Sequence, residues 1–225
     1  MASSAYGYQL IIMTHIMSLY VQWLRPYDMI GSVTWRNSLG SIVSKIEKEV
    51  ESTGNAPVLD GRRLRTRRSR EAIIEAGQAL IAEGILVPTA QLISERAGVG
   101  IRSFFRHFPD MESLFATVEK QGRESVEALF IGGDRDGTLS ERILHAVERR
   151  ADGYEDQRNA ILSTAAQRWR YEILRKNYAR YQRGLRKDLE GWLPELKAMS
   201  GPEREAVDAV ASAEMWLRLR EHQSL

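Results

Sequence analysis

Cysteine is missing altogether from the 225 residues. That absence excludes disulfides, thiolate metal sites and thiol catalysis, and it suits a reducing compartment. Histidine is scarce: His15, His107, His145 and His222 are scattered without an i,i+4 pair, the spacing that would let one helix face hold zinc. No glycine-rich phosphate loop, paired carboxylates or nucleophile–base set stands out either. The chain is therefore read as not an enzyme and as requiring no cofactor or metal. An unbroken apolar run long enough to cross a bilayer is also lacking. The nearest, YQLIIMTHIMSLYVQWL at Tyr8 to Leu24, is interrupted by Thr14, His15, Ser18 and Gln22, and a span needs roughly 20 clean apolar residues. Met1 to Gly7 carries no positive side chain, as a secretory signal would. A cytoplasmic protein with no membrane span is the expectation.

What is present is enough apolar residue, 43% of the chain, to bury one or two cores. The formal net charge is only +2, but it is unevenly placed. Between Arg62 and Phe108 there are nine arginines against four glutamates, and six of those arginines lie in RRLRTRRSR, Arg62 to Arg70. Such a run repels itself and is expected to stay unfolded until a polyanion screens it.

The basic region leads into TAQLISERAGVGIRSFFRHF, Thr89 to Phe108. Leu92, Ile93 and Ala97 fall on one side of a short helix, with Gln91, Glu95 and Arg96 left polar. Gly98 stands where the chain must reverse, a position suited to the left-handed conformation. A second helix begins near Gly100 and carries Arg102, Ser103, Arg106 and His107 among Phe104, Phe105 and Phe108. Two short helices joined by a tight turn, the second rich in donors, read as a helix-turn-helix that lays its second helix in the DNA major groove.

The run from Ile93 through AGVGIRSFFRHFPDMESLF resembles the DNA-binding signature of the TetR (tetracycline repressor) family of bacterial regulators, with the match spanning Thr66 to Leu114. Three departures stand out: Gly100 where the family has a capping serine, Phe105 where it commonly has tyrosine, and Met111 where it has lysine. The last two remove groups that in the family touch phosphate. The resemblance implies an all-α protein with an N-terminal three-helix DNA-binding domain and a C-terminal helical bundle. It further implies a homodimeric, ligand-responsive transcriptional repressor that binds a double-stranded DNA operator and an unknown small-molecule effector. In the family, a basic arm ahead of the first helix lies along phosphates or enters the minor groove. That role would fall here to Arg62, Arg63, Arg65, Arg67 and Arg68.

Within the second helix, Phe104 and Phe108 are four apart and are expected inside. Arg102 is the first candidate for base reading, because arginine pairs in bidentate fashion with guanine edges. Ser103 and His107 are assigned to phosphate or a single base, Phe105 to a thymine methyl or sugar edge, and Arg106 to solvent or an intramolecular pair. Thr89 caps the first helix of the motif and, by the resemblance, sits near phosphate.

Three divisions of the chain follow: 1–61 an extension of unclear role, 62–110 the DNA-binding domain with its arm, and 111–225 the effector and dimerisation domain. In the first, Ile42, Ile46 and Val50 mark a short amphipathic helix, and STGNAPVLDG has the composition of a linker. Two roles compete for it. It is either a membrane-surface or partner-binding segment, the adaptor alternative to DNA regulation, or an extension without a role, with translation starting at Val58 or Leu59. Beyond 110, Asp110 and Thr138 are expected to cap helices, a helix from Glu71 to end at Ala82, and a long helix to run from about Thr164 to Leu193. In that long helix Trp169, Tyr171, Tyr178 and Tyr181 are candidates for the effector pocket. A last helix from Glu203 to Glu221 presents Ala206, Ala209, Val210 and Ala213, small residues that allow a close dimer contact. The resemblance implies one more helix beyond Leu225, so a weakened dimer is expected.

Overall fold

The structure, a computed structural model, describes residues 14, 16–18 and 61–222. The helix expected at 42–50, the linker after it and the start positions 58 and 59 lie outside those residues, as does most of the apolar run at 8–24. Every described element is helical, as the sequence requires, and no described helix is long and apolar enough to cross a membrane.

Helix α1 (Gly61–Ala82) departs from the expectation for its first half. The arginine run is not an unfolded arm; it is the first two and a half turns of the helix. Successive side chains point about 100° apart, so neighbouring guanidinium groups diverge, and like charges at i,i+4 cost only a few tenths of a kcal/mol. Arginine is also among the better helix formers. Glu71 takes up part of the charge through an ion pair with Arg67 Nε at 2.8 Å. The second half of α1 buries Ile73, Ile74, Ala76 and Leu80.

Against that stripe pack α2 (Ala90–Arg96), α3 (Ile101–His107) and the start of α4 (Met111–Phe130). Their shared core holds Ile93, Phe104, Phe108 and Leu114. The joints are local chemistry. Thr89 Oγ1 accepts from Leu92 N at 3.2 Å to cap α2, and Asp110 Oδ1 accepts from Ser113 N at 2.7 Å to cap α4. Gly98 turns the chain between α2 and α3 at φ 65°, where a side chain would be strained.

A second core belongs to α5 (Leu139–Asp156), α6 (Arg158–Gln167), α7 (Glu172–Trp192), a 3-10 turn (Pro194–Ala198), α8 (Gly201–Val210), α9 (Ala213–Leu217) and a π turn (Arg218–His222). Ile143, Val147, Ala151, Tyr154, Leu189, Trp192, Val207 and Trp216 fill it. Thr138 and Glu141 form a full capping box at the head of α5.

The two long helices expected in this half are each interrupted. Between α6 and α7 the chain breaks at 168–171, and α7 restarts because Glu112 Oε1, from α4, accepts from Ile173 N at 2.8 Å. The last helix breaks at Ala211. Its carbonyl accepts from Arg150 Nη1 at 3.1 Å and from the Tyr154 hydroxyl at 3.0 Å, while Ser212 caps a new start by accepting from Met215 N. Both breaks are tertiary hydrogen bonds overriding local helical periodicity. Of the residues expected at a dimer contact, Val210 and Ala213 are buried inside the chain's own core, whereas Ala206 is half-buried and Ala209 exposed.

The two cores are tied together along α4 and α6. Phe115 of α4 stacks edge-on with Tyr171, ring centroids 5.1 Å apart. Glu119 pairs with Arg123 and with Arg180 of α7, and those guanidinium groups, Arg123 foremost, hold its carboxyl below the usual range. From α6, Asn159 Nδ2 donates to Ala82 O at 2.8 Å. Ser163 Oγ and Gln167 Nε2 both donate to Leu86 O, at 2.8 and 2.9 Å.

Candidate nucleic-acid interface

Helix α3 is anchored from within and offered to solvent from without. Phe104 and Phe108 are fully buried with ring centroids 6.1 Å apart, which fixes the rotation of this seven-residue helix about its axis. That rotation leaves Arg102, Phe105 and Arg106 exposed, with Ser103 half-buried beside them. Phe105 is 49% exposed, so its ring face is open to a partner. Arg106 Nη2 donates to Ser103 Oγ at 3.2 Å, so the two form one polar unit next to Arg102.

Each expected site residue can now be placed. Thr89 is exposed at the start of α2 and its hydroxyl is engaged in the cap. Arg62, Arg63, Arg65, Arg67 and Arg68 are all exposed on α1, on a rigid helix continuous with the core. Arg102, Ser103 and Phe105 share the open side of α3. His107 does not stand freely among them: it is half-buried, its Nε2 is without a hydrogen-bond partner among the described residues, and its pKa lies below the ordinary histidine value. Burial is the main cause, helped by the charges of Arg106 and Arg70.

Arg70 and Arg96 have roles that sequence reading did not assign. Arg70 turns inward, its guanidinium 4.8 Å from the centre of the Phe108 ring and donating to Thr117 Oγ1 at 3.2 Å. It thereby clips α1 to α3 and α4 instead of joining the basic surface. Arg106, assigned to solvent or an intramolecular pair, is exposed next to Arg102 and donates to Ser103. Arg96 Nη1 donates to Glu83 at 2.7 Å and holds α2 against the end of α1.

Together the exposed α3 side, Thr89 and the α1 arginines put guanidinium donors, a hydroxyl and one aromatic ring on a rigid three-helix frame. Such a set can bind phosphate by charge and read base edges by bidentate pairing. Residues 73–118 match the family model described as bacterial regulatory proteins, tetR family. The chain carries a tetR-family DNA-binding domain. The matched stretch begins in the buried half of α1 and ends in α4, so it covers the helix-turn-helix and its supports but not the second core. No curated protein and no solved structure matches the chain.

The aromatic residues expected to form an effector pocket stand in separate settings. Trp169 is 76% exposed, and Tyr171 is occupied against Phe115. Tyr178 donates to Glu214 beneath the Arg168 guanidinium, and Tyr181 lies under Arg180. Of the hollows among the described residues, a small one of about 140 Å³ is lined by Arg186, Leu189, Glu190 and Asp208, among others, and none of the four aromatics borders it.

Proposed function

We propose that the protein is a ligand-responsive transcriptional repressor that binds a palindrome-like DNA site as a homodimer. The observation that carries this reading is the exposed Arg102–Phe105–Arg106 side of α3, held in place by Phe104 and Phe108 and followed on the same frame by the α1 arginines. Arg102 and Arg106 reach base edges in the major groove, Ser103 and Thr89 meet phosphate, and Phe105 packs on a thymine methyl or sugar. The α1 arginines add phosphate contacts.

Regulation follows from the ties between the cores. The loop after α1 hangs on Ser163 and Gln167 of α6, and α4 hangs on α7. A ligand that prefers a different arrangement of α6 and α7 shifts the distance between two recognition helices and releases the DNA. With Val210 and Ala213 buried inside the chain, Ala206 and Ala209 are what the expected face leaves open to a second copy. The test is a titration of labelled duplex DNA at increasing salt. Affinity should fall with a log–log slope of about −0.9 per phosphate neutralised; a flat response would remove DNA binding from the account.

A further inference from the structure

The turn between α6 and α7, residues 168–171, carries Trp169 at 76% exposure, and its ring is held rather than loose. Trp169 Nε1 donates to Ala166 O at 2.8 Å. Arg170 N and Tyr171 N both donate to Gln167 O, at 2.9 and 3.2 Å. An indole fixed in this way with its face in water meets a partner at little further cost in side-chain entropy. The charge around it is mostly positive. Arg168 and Arg170 flank the ring in sequence, Arg175 and Lys176 follow at the start of α7, and Glu172 is the one carboxylate from 168 to 176. Glu172 is paired with Lys176 at 2.7 Å, and Arg168 lies 4.0 Å from Glu214. Arg170 and Arg175 are exposed and join no ion pair among the described residues. What such a turn attracts is an anion.

Its position says which anion. Helix α6 runs beside the chain leading into α2 and in the same direction: Asn159 meets Ala82 O, then Ser163 and Gln167 meet Leu86 O. The residues after Gln167 therefore continue past Leu86 towards Thr89, the exposed cap of α2. The far end of the turn is pinned to the start of α4, where Phe115 stacks on Tyr171 and Glu112 accepts from Ile173 N. Trp169 and Arg170 are thus held between the starts of α2 and α4, the two helices that flank α3 in the chain. A duplex gripped by α3 and Thr89 runs its sugar-phosphate backbone along that edge.

We infer that Trp169 and Arg170 form a second DNA contact, made by a turn outside the helix-turn-helix: the guanidinium binds a phosphate and the indole lies against the neighbouring sugar. The inference rests on the DNA-binding reading above and extends it beyond the matched stretch 73–118. The contact adds affinity without base preference, because backbone contacts carry no sequence information. Val87, 51% exposed next to Leu86, is also open to a protein surface, so the test reads the identity of the partner.

Photo-cross-linking of the full chain to a labelled mixed-sequence duplex does so, with benzoylphenylalanine in place of Trp169 and, as a control, in place of Ile131. Ile131 is 61% exposed but closes the other end of α4, about 30 Å along that helix from Met111. Irradiation should join DNA to the chain from position 169 and not from 131. In parallel, Arg170→Gln should lower the salt slope of duplex binding by about 0.9 per bound chain. Trp169→Ala should weaken binding at every salt concentration and leave the slope unchanged. A product joining two protein chains from position 169, or equal labelling of DNA from 131, would overturn the contact. So would an unchanged slope in Arg170→Gln or undiminished binding by Trp169→Ala. Site preference measured with Arg102→Ala separates the two claims. If the parent chain binds duplex with salt-dependent affinity but 169 does not cross-link, the DNA-binding reading stands and the second contact fails. If 169 cross-links and Arg102→Ala keeps the parent's site preference, the contact stands and base reading by Arg102 fails. A parent chain that binds no duplex overturns both.

Discussion

Arg102 and His107 sit five residues apart on α3 and are expected to behave differently. Arg102 is exposed, so Arg102→Ala should leave folding intact, cost about 1–3 kcal/mol of DNA binding and relax preference at one base position. Competition among single-base variants of a bound site measures this; a uniform loss across all sequences would make Arg102 a phosphate anchor instead. His107 bears on stability. Its folded pKa is lowered, first by burial and then by Arg106 and Arg70, whereas an unfolded histidine takes a proton near pH 6.5, to about half a unit. Between those values the unfolded chain binds more protons, so stability is fully present above about pH 6.5 and declines as pH falls through the window. Melting temperature followed across that range should drop in the parent chain and drop less in His107→Phe. Parallel curves would show that burial of His107 does not govern the response.

At the scale of the element, α1 and α6 carry the two arguments. Replacing Arg63, Arg65 and Arg68 together with glutamine should reduce the salt slope of DNA binding by about 0.9 for each arginine that meets a phosphate, and an unchanged slope would take α1 out of the interface. For α6, the double change Ser163→Ala and Gln167→Leu removes both donors to Leu86 O. An acceptor left dry costs about 1–3 kcal/mol, so the denaturation midpoint should fall, and an unmoved midpoint would show that the tie is dispensable. The same elements show what the sequence could tell. The caps at Thr89, Asp110 and Thr138, the turn at Gly98 and the Phe104–Phe108 pair were legible because each is decided within a few residues. The fate of Arg62 to Arg70 was misread because mutual repulsion was weighed without the helix that the next residues start. The breaks before α7 and α9 depend on Glu112, Arg150 and Tyr154, distant in sequence, and no local pattern announces them. Ile16 is the extreme case: the other buried residues described in its core run from Ile143 onward. On the candidate site, the exposed side of α3 followed from spacing, whereas the inward turn of Arg70 and the half-burial of His107 needed the packing of α1 on α4.

Taken whole, the described molecule is a helix-turn-helix head fixed to a second helical core by polar ties on α6 and by α4 lying along α7. In the proposed account, specificity lies in α3, affinity in α1 and control in the second core, with two copies aligned on one face of the duplex. Its central claim is that the protein recognises DNA sequence through α3, and selection of bound sites from a pool of random duplexes tests that most directly. The full chain should enrich a motif of two inverted half-sites centred about one helical turn apart, and Arg102→Ala should enrich the same motif with one position in each half degenerate. Recovery of a pool no different from the input would contradict it.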